Sequence, residues 1–148
     1  MNPDEVNDIA DAAGLDLVQL SGGEDDDFVR RVHRPILRAV HGHSGMSAED
    51  VEDRCVPGIS AGLLLDTGSA GALGGTGTTF DWSIAAQVGE RKPFLLARGL
   101  TPENVAEAIG QVEPWGVDVS TGVETGGVKD IEKIRAFIRA AKGAPVGR

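Results

Sequence analysis

Short apolar runs recur along this chain, and each ends in glycine or a polar residue. They are Leu15-Asp16-Leu17-Val18-Gln19-Leu20, Ile36-Leu37-Arg38-Ala39-Val40, Gly62-Leu63-Leu64-Leu65-Asp66, Phe94-Leu95-Leu96-Ala97 and Gly116-Val117-Asp118-Val119-Ser120. Runs of four to six residues closed by turn formers read as buried strands. The residues that follow them are Ser21-Gly22-Gly23, His41-Gly42-His43, Thr67, Arg98-Gly99-Leu100 and Thr121-Gly122.

Between these runs the apolar spacing changes to three and four, the period of a helix packed on one side. The chain opens with Asn2 as an N-cap, Pro3 at the first helical position and Glu5 completing a capping box. Val6, Ile9, Ala12 and Ala13 form its apolar face, and Gly14 ends it. A polar helix is expected over Asp25–Arg34, one from Ser47 with a capping-box variant, and a short one over Asp81–Val88. Thr101 and Pro102 open the next, with Val105, Ala108 and Ile109 facing inward. The last carries Ile131, Ile134, Phe137, Ile138 and Ala141 on one stripe, and the tail from Gly143 to Arg148 reads as frayed.

Strands alternating with amphipathic helices build right-handed βαβ units and a parallel sheet. Two α/β architectures compete. A doubly wound sheet of flavodoxin type fits the length directly, but it gathers its ligand chemistry at one switch point. A (βα)₈ barrel spreads chemistry over all its strand ends. Here every strand end is polar or glycine-rich, so the pattern favours the barrel. A complete barrel needs ~200 residues or more. With 148 residues the chain supplies about five βα units of a partial (βα)₈ TIM barrel, read as one domain over residues 1–148.

Composition narrows the function. Fourteen basic and 23 acidic residues leave a net charge of −9, which would repel nucleic-acid phosphates. No run approaches a membrane span, and the N-terminus lacks a basic region followed by an apolar one. A lone cysteine, Cys55, excludes an internal disulfide framework and suits a reducing compartment. The expected location is therefore cytoplasmic, with neither nucleic-acid nor membrane partners. The 21 glycines are about twice the usual share of roughly 7%, and point to tight βα turns or close backbone approach to a ligand.

Asp66 closes the most apolar strand. A carboxyl there can serve as a general acid or simply cap its turn through Asx hydrogen bonds. Gly74-Gly75-Thr76-Gly77 can offer backbone N–H groups to phosphate or form a plain turn, and it lacks the lysine of a P-loop. Arg98-Gly99-Leu100 and Ser120-Thr121-Gly122-Val123 follow the last two strands, where phosphate-binding barrels hold their phosphate. Arg98 either adds a charged contact or crowds that site. His41 and His43 make a weak metal signal, with no acidic or thiol partner nearby in sequence. Cys55 reads as packing on a helix. Glu24-Asp25-Asp26-Asp27 reads as charge at a helix N-terminus.

Taken together, Val18-Gln19-Leu20, Leu64-Leu65-Asp66, Gly74-Gly75-Thr76-Gly77 with Phe80-Asp81-Trp82, Leu96-Ala97-Arg98-Gly99-Leu100 with Asn104-Val105, Asp118-Val119-Ser120-Thr121-Gly122-Val123-Glu124 and Gly127-Val128-Lys129-Asp130 resemble phosphoribosylanthranilate isomerase. The resemblance runs over nearly the whole chain. It implies a (βα)₈ barrel of tryptophan biosynthesis that opens the furanose ring of phosphoribosylanthranilate and isomerises it by an Amadori rearrangement, without metal or organic cofactor. It implies Asp66 as the general acid that protonates the ring oxygen. It places Gly99, Ser120, Thr121 and Gly122 around the substrate phosphate, and Arg98, by its position after the strand, is counted with them as a charged contact.

The departures also carry information. The chain resembles the family from its third helix to its eighth, which makes it the C-terminal portion and leaves out the first strand with its catalytic cysteine base. Ser21 stands where the family shows His, and Arg98 where it shows Gly. The expectation is thus a truncated isomerase, inactive or weakly active alone. Its edges would recruit a second copy as a homodimer or higher homo-oligomer, because truncation opens the interior near Leu64 and Leu95. Two alternatives stay open: a non-catalytic, self-assembling half-barrel that keeps a phosphate or sulfate site, and one half of a split isomerase.

Overall fold

The computed structural model describes residues 1–42, 45–55, 60–66, 82–89 and 93–145. The elements run α1 (Pro3–Ala13), β1 (Val18–Leu20), α2 (Asp26–Arg31), β2 (Ile36–His41), α3 (Ala48–Glu52), β3 (Ser60–Asp66), α4 (Trp82–Gly89), β4 (Phe94–Ala97), α5 (Val105–Val112) and β5 (Gly116–Asp118). A 3₁₀ turn (Thr121–Val123), a small hairpin of β6 (Glu124–Thr125) and β7 (Val128–Lys129), and α6 (Ile131–Gly143) complete the chain.

The five long strands form one parallel sheet in the order β1-β2-β3-β4-β5. This order follows the chain, so no strand steps back across the sheet as it would at a switch point. The packing separates the two architectures independently. Val40, Leu63, Leu65, Phe94 and Leu96 meet residues of α3, α4, α5 and α6 in one cluster. Val18, Leu20 and Ile36 meet α1 and α2 in a second. The third, Leu37, Ala39, Leu64 and Ala97 with Leu95 against them, contains strand residues alone. Among the described residues, helices therefore cover one face of the sheet, as on an arc of barrel, and not both.

Local chemistry sets the ends of the elements. Asn2 and Glu5 form the expected capping box. Gly14, at φ 65°, ends α1, and the Leu15 N–H reaches back to the Ala10 carbonyl. That six-to-one bond belongs to the helix terminus, so Leu15 and Leu17 are spent outside the sheet and β1 starts only at Val18. The polar helix is shorter than expected, with Asp25 capping it through Phe28 N–H. The acidic run has a second use: Arg38, buried on the helix-covered face of β2, donates to the Glu24 carbonyl and lies 3.6 Å from Asp26. A buried Asn7 bridges α1 to the end of α2 through the Arg31 carbonyl and His33 N–H.

Two further corrections concern the C-terminal third. β5 stops at Asp118, and the chain turns through Thr121–Val123 into the β6–β7 hairpin, whose Gly126 and Gly127 have φ 62° and 80°. Positive φ at both turn residues matches the twist of a tight hairpin. The stripe on α6 is split: Phe137 is buried in the core, while Ile131 and Ile138 are exposed. Leu64 is also only 6% exposed, so the inner face is less open than the sequence suggests. No described helix is long and apolar enough to cross a membrane.

Candidate active site

All five parallel strands present their C-terminal ends along one rim. Register places His41 beside Asp66, Asp66 beside Ala97, and Ala97 beside Asp118. These four share one row on the face away from the helices. The row beneath is Ala39, Leu64, Leu95 and Gly116. Gly116 leaves room there for Leu95, whose Cδ2 would lie 2.8 Å from a Cβ and would have to shift. A polar rim thus stands on an apolar floor.

Asp66 is the most buried charged group of the rim, its side chain 14% exposed. His41 Nδ1 lies 2.9 Å from its Oδ2, and Arg98 Nη1 donates to both carboxylate oxygens at 3.3 and 3.1 Å. His41 Nε2 lies 3.1 Å from the Ser21 carbonyl. The His41 pKa is raised above its ordinary 6.5, first by the Ser21 carbonyl and then by the Asp66 hydrogen bond, against partial desolvation and the Arg98 charge. His41 therefore joins the ends of three strands. In sequence His41 is half of a weak metal pair; its role at the rim comes from register, which sets it opposite Asp66.

A cavity of about 210 Å³ opens beside Asp66, between the loop Arg98–Leu100 and the loop Val119–Gly122, with Asp118 on its wall. Both loops are built for close approach. Arg98 and Gly99 have φ 68° and 66°, so Arg98 occupies a conformation that costs a residue with a Cβ roughly 1–2 kcal/mol. Asn104 holds this loop by accepting from Thr101 N–H at 2.8 Å and donating to the Gly99 carbonyl at 3.0 Å. α5 consequently starts at Val105, one turn later than the Thr101-Pro102 signal suggested. Opposite, a Cβ on Gly122 would lie 1.8 Å from the Leu100 carbonyl oxygen, so only glycine lets the loops meet. Lys129 braces the second loop, its Nζ 3.0 Å from both the carbonyl and the hydroxyl of Ser120 and 2.6 Å from Glu124 Oε1. Asn104 and Lys129 lie in the motifs singled out above, but only the fold gives them these tasks.

The expected site residues Asp66, Arg98, Gly99, Ser120, Thr121 and Gly122 thus line one cavity. His43 and Gly74-Gly75-Thr76-Gly77 lie outside the described residues. Cys55 packs against the helix-side core and does not line the cavity. Among the described residues no cluster of three His, Cys, Asp or Glu side chains is arranged to hold a metal.

A family model for N-(5'-phosphoribosyl)anthranilate isomerase matches residues 1–140. The N-(5'-phosphoribosyl)anthranilate isomerase of Geotalea uraniireducens is 49% identical over 141 residues, covering 95% of this chain and 68% of the relative. The crystal structure of phosphoribosyl anthranilate isomerase from Thermotoga maritima superposes with a TM-score of 0.76 at 37% identity, over 97% of this chain and 69% of that one. A structure of such an isomerase in complex with reduced 1-(o-carboxyphenylamino)-1-deoxyribulose 5-phosphate gives a TM-score of 0.74 at 34% identity, over 97% and 68%. The chain thus spans about two thirds of the length of these relatives, and its sheet is an arc of their (βα)₈ barrel. On the family match and the identity together, this chain belongs to the N-(5'-phosphoribosyl)anthranilate isomerase family.

Proposed function

We propose that the chain contributes the acid and phosphate-binding side of a phosphoribosylanthranilate isomerase site. It corresponds in this reading to the third helix through the eighth helix of the family pattern, as a single cytoplasmic domain. Asp66 protonates the furanose ring oxygen of N-(5'-phosphoribosyl)anthranilate. The anilino nitrogen lone pair then expels that oxygen from C1', and a base removes the C2' proton to complete the Amadori rearrangement. Gly99, Ser120, Thr121 and Gly122 hold the phosphate by backbone and hydroxyl groups, with Arg98 adding charge. The observation that carries this reading is the single cavity shared by Asp66 and the two glycine-containing loops.

In this reading the base comes from the first strand of the family pattern, and Cys55, which packs with the helix-side core and does not line the cavity, does not replace it. Loss of one partner of an acid–base pair removes ~10²–10⁴-fold in rate, and lost positioning removes more. The purified chain is expected to convert phosphoribosylanthranilate near background, and to gain turnover when a fragment supplying the missing strands is added. Turnover of roughly 1 s⁻¹ or above by the chain alone, within the usual enzyme range, would overturn the proposal of a half site. Phosphate binding without rescue by the fragment would favour the non-catalytic reading.

Assembly is part of the same proposal. Ile9, Leu15 and Leu17 are exposed near β1, and Val128, Ile131 and Ile138 near the other end of the arc. Covering such side chains yields ~1.5–3 kcal/mol each, which favours a homodimer or larger homo-oligomer. A 15.4 kDa monomer at every concentration in sedimentation equilibrium would count against it.

A further inference from the structure

A general acid must hold a proton before it can give one, and the geometry around Asp66 bears on where that proton comes from. Its carboxylate oxygens accept from Arg98 Nη1 and face His41 Nδ1. Arginine does not release its proton in proteins. Histidine changes charge near neutrality. The Ser21 carbonyl can only accept, so Nε2 of His41 keeps its hydrogen in both charge states. The proton that comes and goes is then the one on Nδ1, 2.9 Å from Asp66 Oδ2. Exposure runs in the same direction: the His41 side chain is 58% exposed and the Asp66 side chain 14%. One end of the pair meets solvent and the other meets the cavity.

Resting on the assignment of Asp66 as the acid, we infer that His41 is a positioning and proton-loading residue, which takes a proton from solvent on Nδ1 and passes it to Asp66 Oδ2. In the transfer the Nδ1–H bond breaks and an Oδ2–H bond forms, leaving a neutral imidazole with Nε2–H still donated to Ser21. Asp66 then gives this proton to the ring oxygen as the C1'–O bond breaks and returns to carboxylate, and the exposed imidazole is reprotonated from water. Among the described residues, the charged groups facing His41 are Asp66 at the end of β3 and Arg98 after β4, while β1 contributes the Ser21 carbonyl. The arrangement also bears on Ser21, which stands where the family pattern has histidine: here an imidazole reaches the rim from the neighbouring strand.

The test is a ¹⁵N NMR pH titration of the His41 ring in the intact chain, assigned with His41→Gln. The expected result is a neutral form protonated on Nε2 and a midpoint above 6.5. Asp66→Asn lowers that midpoint and Arg98→Gly raises it, the latter a variant whose backbone at φ 68° suits glycine. A neutral form protonated on Nδ1 would overturn the inference, as would a midpoint indifferent to both substitutions. These readings do not depend on turnover. Failure of the chain to bind the reduced deoxyribulose phosphate analogue therefore counts against the functional reading, and the titration tests the Nδ1–Oδ2 pair independently of it.

Discussion

The two faces of the central strands differ by a single residue step and serve opposite ends. On the helix-covered face, Leu63, Leu65, Phe94 and Leu96 are each no more than 1% exposed and join a cluster that reaches four helices. On the other face, Leu37, Ala39 and Leu64 form a small floor with Leu95 against it, and the next residue of that face along two of these strands is His41 or Asp66 on the rim row. Pleating alternates side chains between faces, so each strand places its stability on one side and its chemistry on the other. The lesson is that fold and site can be perturbed separately in this sheet, although their residues are neighbours in sequence.

The largest effect should come from the covered face. Leu96→Ala removes a fully buried side chain from the large cluster and is expected to cost about 2–5 kcal/mol. Leu64→Ala on the floor should cost less, about 2 kcal/mol or below, because the small cluster has less to lose and more room to relax. Urea denaturation of both variants checks this; equal losses would erase the distinction between the faces.

Next comes the junction of the two rim loops. Gly122→Ala drives a methyl group into the Leu100 carbonyl, so the loops must part. The expected cost is about 1–3 kcal/mol, as for overpacking in general, with loss of inorganic phosphate binding measured by titration calorimetry. Unchanged phosphate affinity would mean that the loop contact does not shape the cavity.

A smaller effect of opposite sign is expected at Arg98. Arg98→Gly relieves a left-handed backbone at φ 68° that costs roughly 1–2 kcal/mol. It gives up an ion pair with Asp66 whose arginine is exposed and whose carboxylate is largely buried, which places it at about 1 kcal/mol, the upper end for pairs at a surface. A net gain of up to about 1 kcal/mol in thermal or urea denaturation is the expected outcome. A loss would show that the Asp66 contact outweighs the backbone strain.

The smallest effect is a pH dependence. The folded His41 pKa lies above its ordinary 6.5 because the Ser21 carbonyl and Asp66 favour the charged ring. The folded state therefore binds its proton more tightly than the unfolded state. The stabilisation is complete below the unfolded value and disappears as pH rises through the folded one. Melting temperatures of the parent chain and His41→Gln should differ most in mild acid and converge with rising pH. A gap that widened upward in pH would reverse the assignment.

Much of the fold was legible because its signals are local. Apolar runs, the Asn2–Glu5 capping box and the stop at Gly14 depend only on residues within a few positions. The element boundaries that moved did so through particular bonds, such as Leu15 N–H to Ala10 or the Asn104 clamp that delays α5. Asp66, Arg98 and the glycines of the two loops were also legible, because each closes a strand and the motifs repeat a family pattern. His41 was not legible in that role, since its partners are Ser21 and Asp66, 20 and 25 positions away. The same holds for Lys129, whose link to Ser120 depends on a hairpin that apolar spacing does not announce.

Sequence alone determined the alternation of strands and helices, the polar residue at every strand end and the family these motifs belong to. Tertiary structure alone decided the register between the strands, that Leu64 is covered, and that His41, Asp66 and Arg98 meet at one rim. The physical reason is range. Propensity, capping and periodicity act within a turn or two of chain, whereas register and side-chain pairing depend on which distant strands become neighbours. The left-handed turn at Arg98 lies between the two: glycine normally announces such a conformation, and here only the folded backbone reveals that an arginine bears it.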